Sequence, residues 1–178
     1  DLIDCYLLIK NDPEKLITSL REIKEEYYRL ATIETKSQYY YQIRDKYNND
    51  ELAKDKRAAC FIFLNKTCFN GLYRVNTNGK FNVPFGQYDH PNICDEELIM
   101  ADHRVLQKVD IYVGGYKNIT KHLGKRYNFI YIDPPYNTGA KDWKYNNDYV
   151  DGSDAYRHSK WLSMMEKRLK LAKKLLNP

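Results

Sequence analysis

Apolar positions recur at three- and four-residue spacing through the first third of the chain, the period of a helix with one buried face. Leu2, Ile3, Tyr6, Leu7 and Ile9 make a short stripe. Asp12-Pro13-Glu14 then restarts a helix, with Asp12 as N-cap and Pro13 at the first helical position, where the missing N–H is one the helix leaves unpaired anyway. Leu16, Ile17, Leu20, Ile23, Tyr27 and Leu30 carry the apolar face of this second helix. A polar, Tyr-rich helix is predicted over 35–47. Another covers about 51–65 and turns strongly apolar at Ala58-Ala59-Cys60-Phe61-Ile62-Phe63-Leu64.

The pattern changes over 66–92, where Gly71, Gly79, Gly86, Pro84 and Pro91 interrupt it. Asn78-Gly79 predicts a two-residue turn, with Arg74-Val75-Asn76 and Phe81-Asn82-Val83 as short strands on either side. Helical spacing returns over 95–108. A short strand is predicted at 109–113, a helical turn at 118–123 and a buried strand at 128–132. That strand ends in Asp133-Pro134-Pro135-Tyr136, and a polar loop runs on to about Gly152. Ser153 or Asp154 is placed to cap a last helix, lined on one side by Trp161, Met165, Leu169, Ala172 and Leu176. Strand, polar loop and helix in that order are the connection of an α/β fold, which puts functional residues at the carboxyl end of the strand.

Composition narrows the classes. The 178 residues are 30% charged and 43% apolar, with 17 tyrosines, and mean hydropathy is −0.74. No stretch approaches the roughly 20 apolar residues that span a bilayer, and the N-terminus lacks the pattern of a secretion signal. Cys5, Cys60, Cys68 and Cys94 show neither CxxC spacing nor paired histidines, so buried thiols in a reducing cytoplasm are expected, without a metal site. His122 and His158 lie too far apart to suggest a metal by spacing. Net charge is +5, and residues 154–178 alone, with seven basic and two acidic side chains, equal that excess. Such a tail suits phosphates, but also the wet face of an amphipathic helix. The chain opens at Asp1 directly into a helical pattern and its last helix runs nearly to Pro178, as expected of a piece of a longer gene product.

Asp133-Pro134-Pro135-Tyr136 is the sharpest chemical signal. An exocyclic amine on a nucleobase is a poor nucleophile because its lone pair is delocalised into the ring. A carboxylate accepting one N–H and a backbone carbonyl accepting the other favour a more pyramidal, more nucleophilic nitrogen. Asp133 supplies a carboxylate and Pro134 a carbonyl, while two prolines stiffen the corner that aims them. Tyr136 offers a flat face on which an extruded base can stack. The bland alternative is an ordinary Pro-Pro turn with Tyr136 as packing.

This DPPY run resembles the catalytic motif of amino-methylating DNA methyltransferases that use S-adenosylmethionine. Residues 1–115 are similar to DNA adenine methylases of the Dam type, most clearly in Phe63-Leu64-Asn65-Lys66-Thr67-Cys68-Phe69-Asn70-Gly71-Leu72-Tyr73-Arg74-Val75-Asn76 and Gly79-Lys80-Phe81-Asn82-Val83-Pro84-Phe85-Gly86. The resemblance implies a hairpin that enters duplex DNA. Arg74 would read a guanine edge, Phe69 would insert near the vacated base, Asn70 would contact a phosphate and Leu72 would lie beside the bases. After the motif, Asn137-Thr138-Gly139, Lys144-Tyr145-Asn146-Asn147-Asp148-Tyr149 and Arg157-His158-Ser159-Lys160-Trp161-Leu162 look like the modification subunit of type III restriction systems. A hybrid of two methyltransferase genes, switching around 116–137, follows from that reading.

The implied fold is α/β, a partial Rossmann-like S-adenosylmethionine-dependent methyltransferase with a helical and hairpin target-recognition insertion. Its parts are an N-terminal helical segment (1–52), a target-recognition region (53–115) and a catalytic segment with the DPPY strand and following helix (116–178). The implied function is methyl transfer to adenine N6 in double-stranded DNA with the target flipped out, in the cytoplasm, with a restriction subunit as a further partner. N4-cytosine methylation and a non-catalytic DNA-binding remnant are the alternatives, and GATC is only the guess that a Dam-type hairpin suggests. No Phe-x-Gly-x-Gly cofactor loop occurs within residues 1–178, which leaves Asp133 as the cofactor contact and predicts weak or no S-adenosylmethionine binding by this chain alone.

Overall fold

The computed structural model of the protein describes residues 2–49, 51–115, 117, 126–134 and 154–177. Contacts divide the chain into two units, Asp1–Val113 and Gly114–Pro178.

The first unit is built on helices α1 (Leu2–Asn11), α2 (Pro13–Arg29), α3 (Ile33–Asn49), α4 (Lys54–Thr67) and α5 (Glu96–Leu106). Asp12 caps α2 through its carboxylate and the Lys15 N–H (3.3 Å), and Asp95 caps α5 through the Leu98 N–H (3.0 Å), each meeting a donor the helix leaves unpaired. Helix α4 is the centre, packing against α1, α2 and α3. Its apolar run is therefore covered on several sides: Ala58, Ala59, Cys60, Phe63 and Leu64 are all buried. Phe63 meets Tyr27, Tyr39 and Tyr40 at centroid separations of 5.6, 5.8 and 6.3 Å. The tyrosine pairs split as their helical positions require, with Tyr27 and Tyr40 buried and Tyr28 and Tyr41 exposed. At the other end of the unit, α5 satisfies the last carbonyls of α1: His103 Nδ1 meets Ile9 O at 2.8 Å and Gln107 Nε2 donates to Lys10 O at 2.6 Å.

All four cysteines are buried and unbridged. Burial pushes the Cys5 thiol up to about 11, and the Cys68 and Cys94 thiols upward too. Burial also pushes the Asp55 carboxyl up. The Ser19 hydroxyl, donating at 3.0 Å, with backbone N–H groups and Lys15, outweighs it and holds Asp55 below its ordinary value.

In the second unit, α6 (Arg157–Leu175) carries Met164 as its buried residue, with Trp161, Met165, Arg168, Leu171 and Ala172 half-buried around it. Leu169, expected on that face, is 54% exposed, so the stripe centres on Met164 instead. Asp154 precedes the helix rather than sitting at its cap position: its carboxylate accepts the Tyr156 N–H (2.8 Å) and pairs with Lys160. Ser153 and the turn expected at 118–123 lie outside the described residues.

Every predicted strand is shorter than expected. Among the described residues, pairing is limited to isolated bridges at Cys68–Phe85, Val75–Phe81 and Tyr127–Leu176. Residues 109–113 and 128–132 are irregular, and Val113, Phe129 and Tyr131 are 74%, 77% and 75% exposed. A buried parallel strand takes both its hydrogen bonds and its cover from neighbours. Here the one bridge beside 128–132 joins Tyr127 to the end of α6, through Tyr127 N–H to Leu175 O (2.8 Å) and Asn177 N–H to Tyr127 O (2.9 Å). The Rossmann-like sheet is thus not displayed by the described residues. None of their helices is long and apolar enough to cross a membrane.

Candidate nucleic-acid interface and acid–proline corner

The hairpin grows directly from α4. The Phe69 N–H donates to Pro84 O (2.9 Å) and the Gly86 N–H to Thr67 O (2.8 Å), tying both arms to the helix end. Gly86 is required for this closure, because a Cβ there would stand 2.6 Å from the Cys68 carbonyl oxygen. Phe69, Asn70 and Gly71 form a single 3-10 turn, with Asn70 and Gly71 in the left-handed region at φ 54° and 60°. Asn65 on α4 holds that turn by donating to Gly71 O at 2.8 Å. Phe69 is thereby presented 48% exposed with Asn70 beside it, while Leu72 is half-buried against the core.

The tip differs from the predicted two-residue turn. Asn76 N–H donates to Lys80 O and Gly79 N–H to Asn76 O, both at 2.9 Å, with Gly79 at φ 73°. This is a three-residue loop, Thr77-Asn78-Gly79, closed by a left-handed glycine. The Asn76 side-chain oxygen accepts the Asn78 and Lys80 N–H groups, both at 3.0 Å, and so takes the place of a longer ladder.

Arg74 is exposed and already held. Its Nε donates to Asn82 Oδ1 at 2.8 Å and one Nη to Asn82 O at 3.2 Å. The return arm in turn rests on α3. Asn48 donates to Phe81 O (2.9 Å) and accepts the Phe81 N–H (2.8 Å), while Tyr40 and Arg44 donate to Val83 O at 2.8 and 3.2 Å. Between α3 and this arm runs a groove of about 540 Å³ lined by Tyr41, Arg44, Asn48, Asn76, Lys80 and Asn82 among others. Arg44 stacks on Tyr41 at 4.6 Å, and the groove presents Arg44, Lys80 and several amides beside the carboxylate of Asp45. Asn82, Asn48 and Asn65 were not singled out from sequence. Asn82 lay in plain view inside the hairpin motif, whereas Asn48, 33 residues from Phe81, carries no local signal.

At the other candidate site, Asp133 is exposed and Pro134 half-buried. Pro135 and Tyr136 lie outside the described residues. The structure gathers Phe69, Asn70, Leu72 and Arg74 on one hairpin. Asp133 and Pro134 belong to the other unit.

Against known proteins, a family model of the D12 class N6 adenine-specific DNA methyltransferases matches residues 1–176. The chain belongs to that family. The D12 match spans 116–137, and the expected two-gene hybrid is unconfirmed. Among individual relatives, the type II methyltransferase M.MjaIII of Methanocaldococcus jannaschii is 38% identical over 94% of this chain and 59% of its own length. The type II methyltransferase M1.LlaDCHI of Lactococcus lactis subsp. cremoris is 35% identical over 76% of the chain and 46% of its own. The DNA adenine methylase of Escherichia coli (strain K12) is 32% identical over the same shares, 76% and 46%. The chain therefore spans about half the length of these relatives.

Methyltransferases of this kind imply S-adenosylmethionine, and the described residues do not by themselves fit it. One exposed carboxylate on an irregular segment is no cradle for a ligand with a purine, a ribose, a sulfonium and an amino-acid end.

Proposed function

We propose that the whole protein methylates adenine N6 in duplex DNA, with S-adenosylmethionine as methyl donor, and that this chain supplies its target-reading hairpin and its acid–proline corner. The observation that carries the reading is the hairpin. An aromatic and an arginine stand out from it into solvent, on a backbone locked by Asn65, Asn76 and Asn82. A core hairpin would bury such side chains; a groove-reading one presents them. Arg74 meets a guanine edge, Phe69 inserts near the vacated base, Asn70 contacts phosphate, and Leu72 lies beside the bases. The groove beside them, where Arg44 and Lys80 outnumber the one carboxylate of Asp45, suits the sugar–phosphate backbone, which positions a protein without specifying sequence.

In this reading Asp133 and the Pro134 carbonyl accept the two N–H groups of the target amine, Pro135 stiffens the corner and Tyr136 stacks on the base. The α/β Rossmann-like sheet, the three-part division at 52/53 and 115/116, a cytoplasmic location and a restriction partner belong to the same proposal. The test is methyl transfer by the full-length protein to mixed-sequence duplex DNA, followed by nucleoside digestion. N6-methyladenine is expected; N4-methylcytosine selects the rival chemistry, and DNA binding with no methylated nucleoside selects a non-catalytic remnant. For the 178-residue chain alone, calorimetry is expected to show little or no S-adenosylmethionine binding.

A further inference from the structure

We infer that Asn82 is a positioning residue for base readout: it presets the Arg74 guanidinium, and Asn48 on α3 fixes Asn82. The inference rests on the reading above that Arg74 meets a base. A guanidinium has five N–H donors in a planar fork. Asn82 takes the inner edge twice, through Oδ1 to Nε at 2.8 Å and through its backbone oxygen to one Nη at 3.2 Å. The outer edge, with both Nη groups, stays turned away from those acceptors. That edge offers the two parallel N–H bonds that guanine O6 and N7 accept. An unheld arginine on an exposed loop would sample many rotamers and lose that freedom on docking. A pre-held one loses less, so the same contact discriminates more strongly.

The hold is only as good as the arm that carries Asn82. Four bonds between α3 and Asn82's neighbours Phe81 and Val83 secure it on either side. Asn48 makes both backbone hydrogen bonds of Phe81 as a neighbouring strand would, and Tyr40 and Arg44 meet the Val83 carbonyl. The Asn82 N–H closes the hairpin onto Arg74 O at 3.1 Å. A side-chain amide on a helix thus replaces a sheet in setting where an arginine points.

The test uses the 178-residue chain and a DNA duplex library with a randomised central window. Bound duplexes are sequenced, and total binding is followed by fluorescence anisotropy. Wild type is expected to prefer guanine at one position, and Arg74→Ala to lose that preference by roughly 10- to 100-fold. Asn82→Ala should lower the same preference roughly ten-fold while total library binding changes little, since phosphate contacts dominate it. Asn48→Ala should shift it in the same direction by less. Asn82→Asp retains the acceptor and should retain the preference, with weaker total binding from its negative charge. If Asn82→Ala keeps the full preference that Arg74→Ala loses, the positioning role fails and the readout stands. The role also fails if a folded Asn82→Asp loses the preference, or if Asn82→Ala weakens all positions equally. A wild-type chain with no guanine preference, or Arg74→Ala with an intact one, overturns the readout and the positioning role together.

Discussion

Two runs of this chain are similarly apolar and end in opposite surroundings. Residues 58–64 form a stretch of α4 in which Ala59 and Phe63 are wholly buried, whereas in residues 129–132 Phe129 and Tyr131 are about three-quarters exposed. Hydrophobicity does not separate them; the source of their backbone hydrogen bonds does. A helix satisfies its own N–H and C=O groups and needs only side-chain neighbours, which α1, α2 and α3 provide. An extended run needs another strand before it can be buried, and the described residues give 128–132 only the bridge at Tyr127.

This contrast can be broken most sharply at Phe63. Phe63→Ala removes the ring at the meeting point of Tyr27, Tyr39 and Tyr40, and should cost about 3–5 kcal/mol in chemical denaturation of the chain. A comparable loss, read as activity instead of stability, is expected at the exposed corner. In the full-length protein, Asp133→Asn should slow methyl transfer by on the order of 10²–10³-fold, the scale of losing one preorganised electrostatic contact to the reacting group. Single-turnover rates at saturating DNA measure it, and an unchanged rate would sink the role given to Asp133.

Next comes alkaline pH. The folded state holds the Cys5 thiol neutral up to about 11 against an ordinary value of 9.0, and the Tyr27 phenol up to about 12 against 10.0, burial being the leading cause in both. Above pH 9 the unfolded chain ionises first, so stability is full below that point and falls as pH rises toward 11. Cys5 alone should remove on the order of 2–3 kcal/mol by then. Melting temperature followed against pH should decline over this range, and Cys5→Ala should flatten the decline.

A smaller effect belongs to the hairpin base. Gly86→Ala sets a methyl against the Cys68 backbone and should cost about 1–3 kcal/mol, visible in the thermal midpoint. Smallest of all, Phe129→Ala in this chain should stay within about 0.5 kcal/mol of wild type, as for an exposed side chain. A large loss there would erase the contrast between the two runs.

Much of the first unit was legible because its elements are local. The Asp12-Pro13 start, the apolar face of α2 and the dense run in α4 each follow from residues a few positions apart, and the helices fall within a few residues of where the pattern puts them. The hairpin was legible through Gly79, although its loop has three residues, because Asn76 folds its side chain back onto the turn and takes two N–H groups. Phe69 and Arg74 could be named as candidates from the motif. That Asn82 already grips Arg74 could not, since nothing in a motif says which neighbour occupies an arginine's inner edge.

Residue order by itself determined which segments become helices and where α2 is capped, and it offered Asp133 and Pro134 as candidates for an acid–proline corner, because each depends on spacing and on bonds within a few residues. Tertiary structure alone decided that Phe63 becomes the hub of an aromatic cluster, that Asn48 stands in for a missing strand beside Phe81, and that Phe129 and Tyr131 stay exposed. Those outcomes turn on groups dozens of positions apart meeting, or failing to meet, a partner for each buried N–H and C=O.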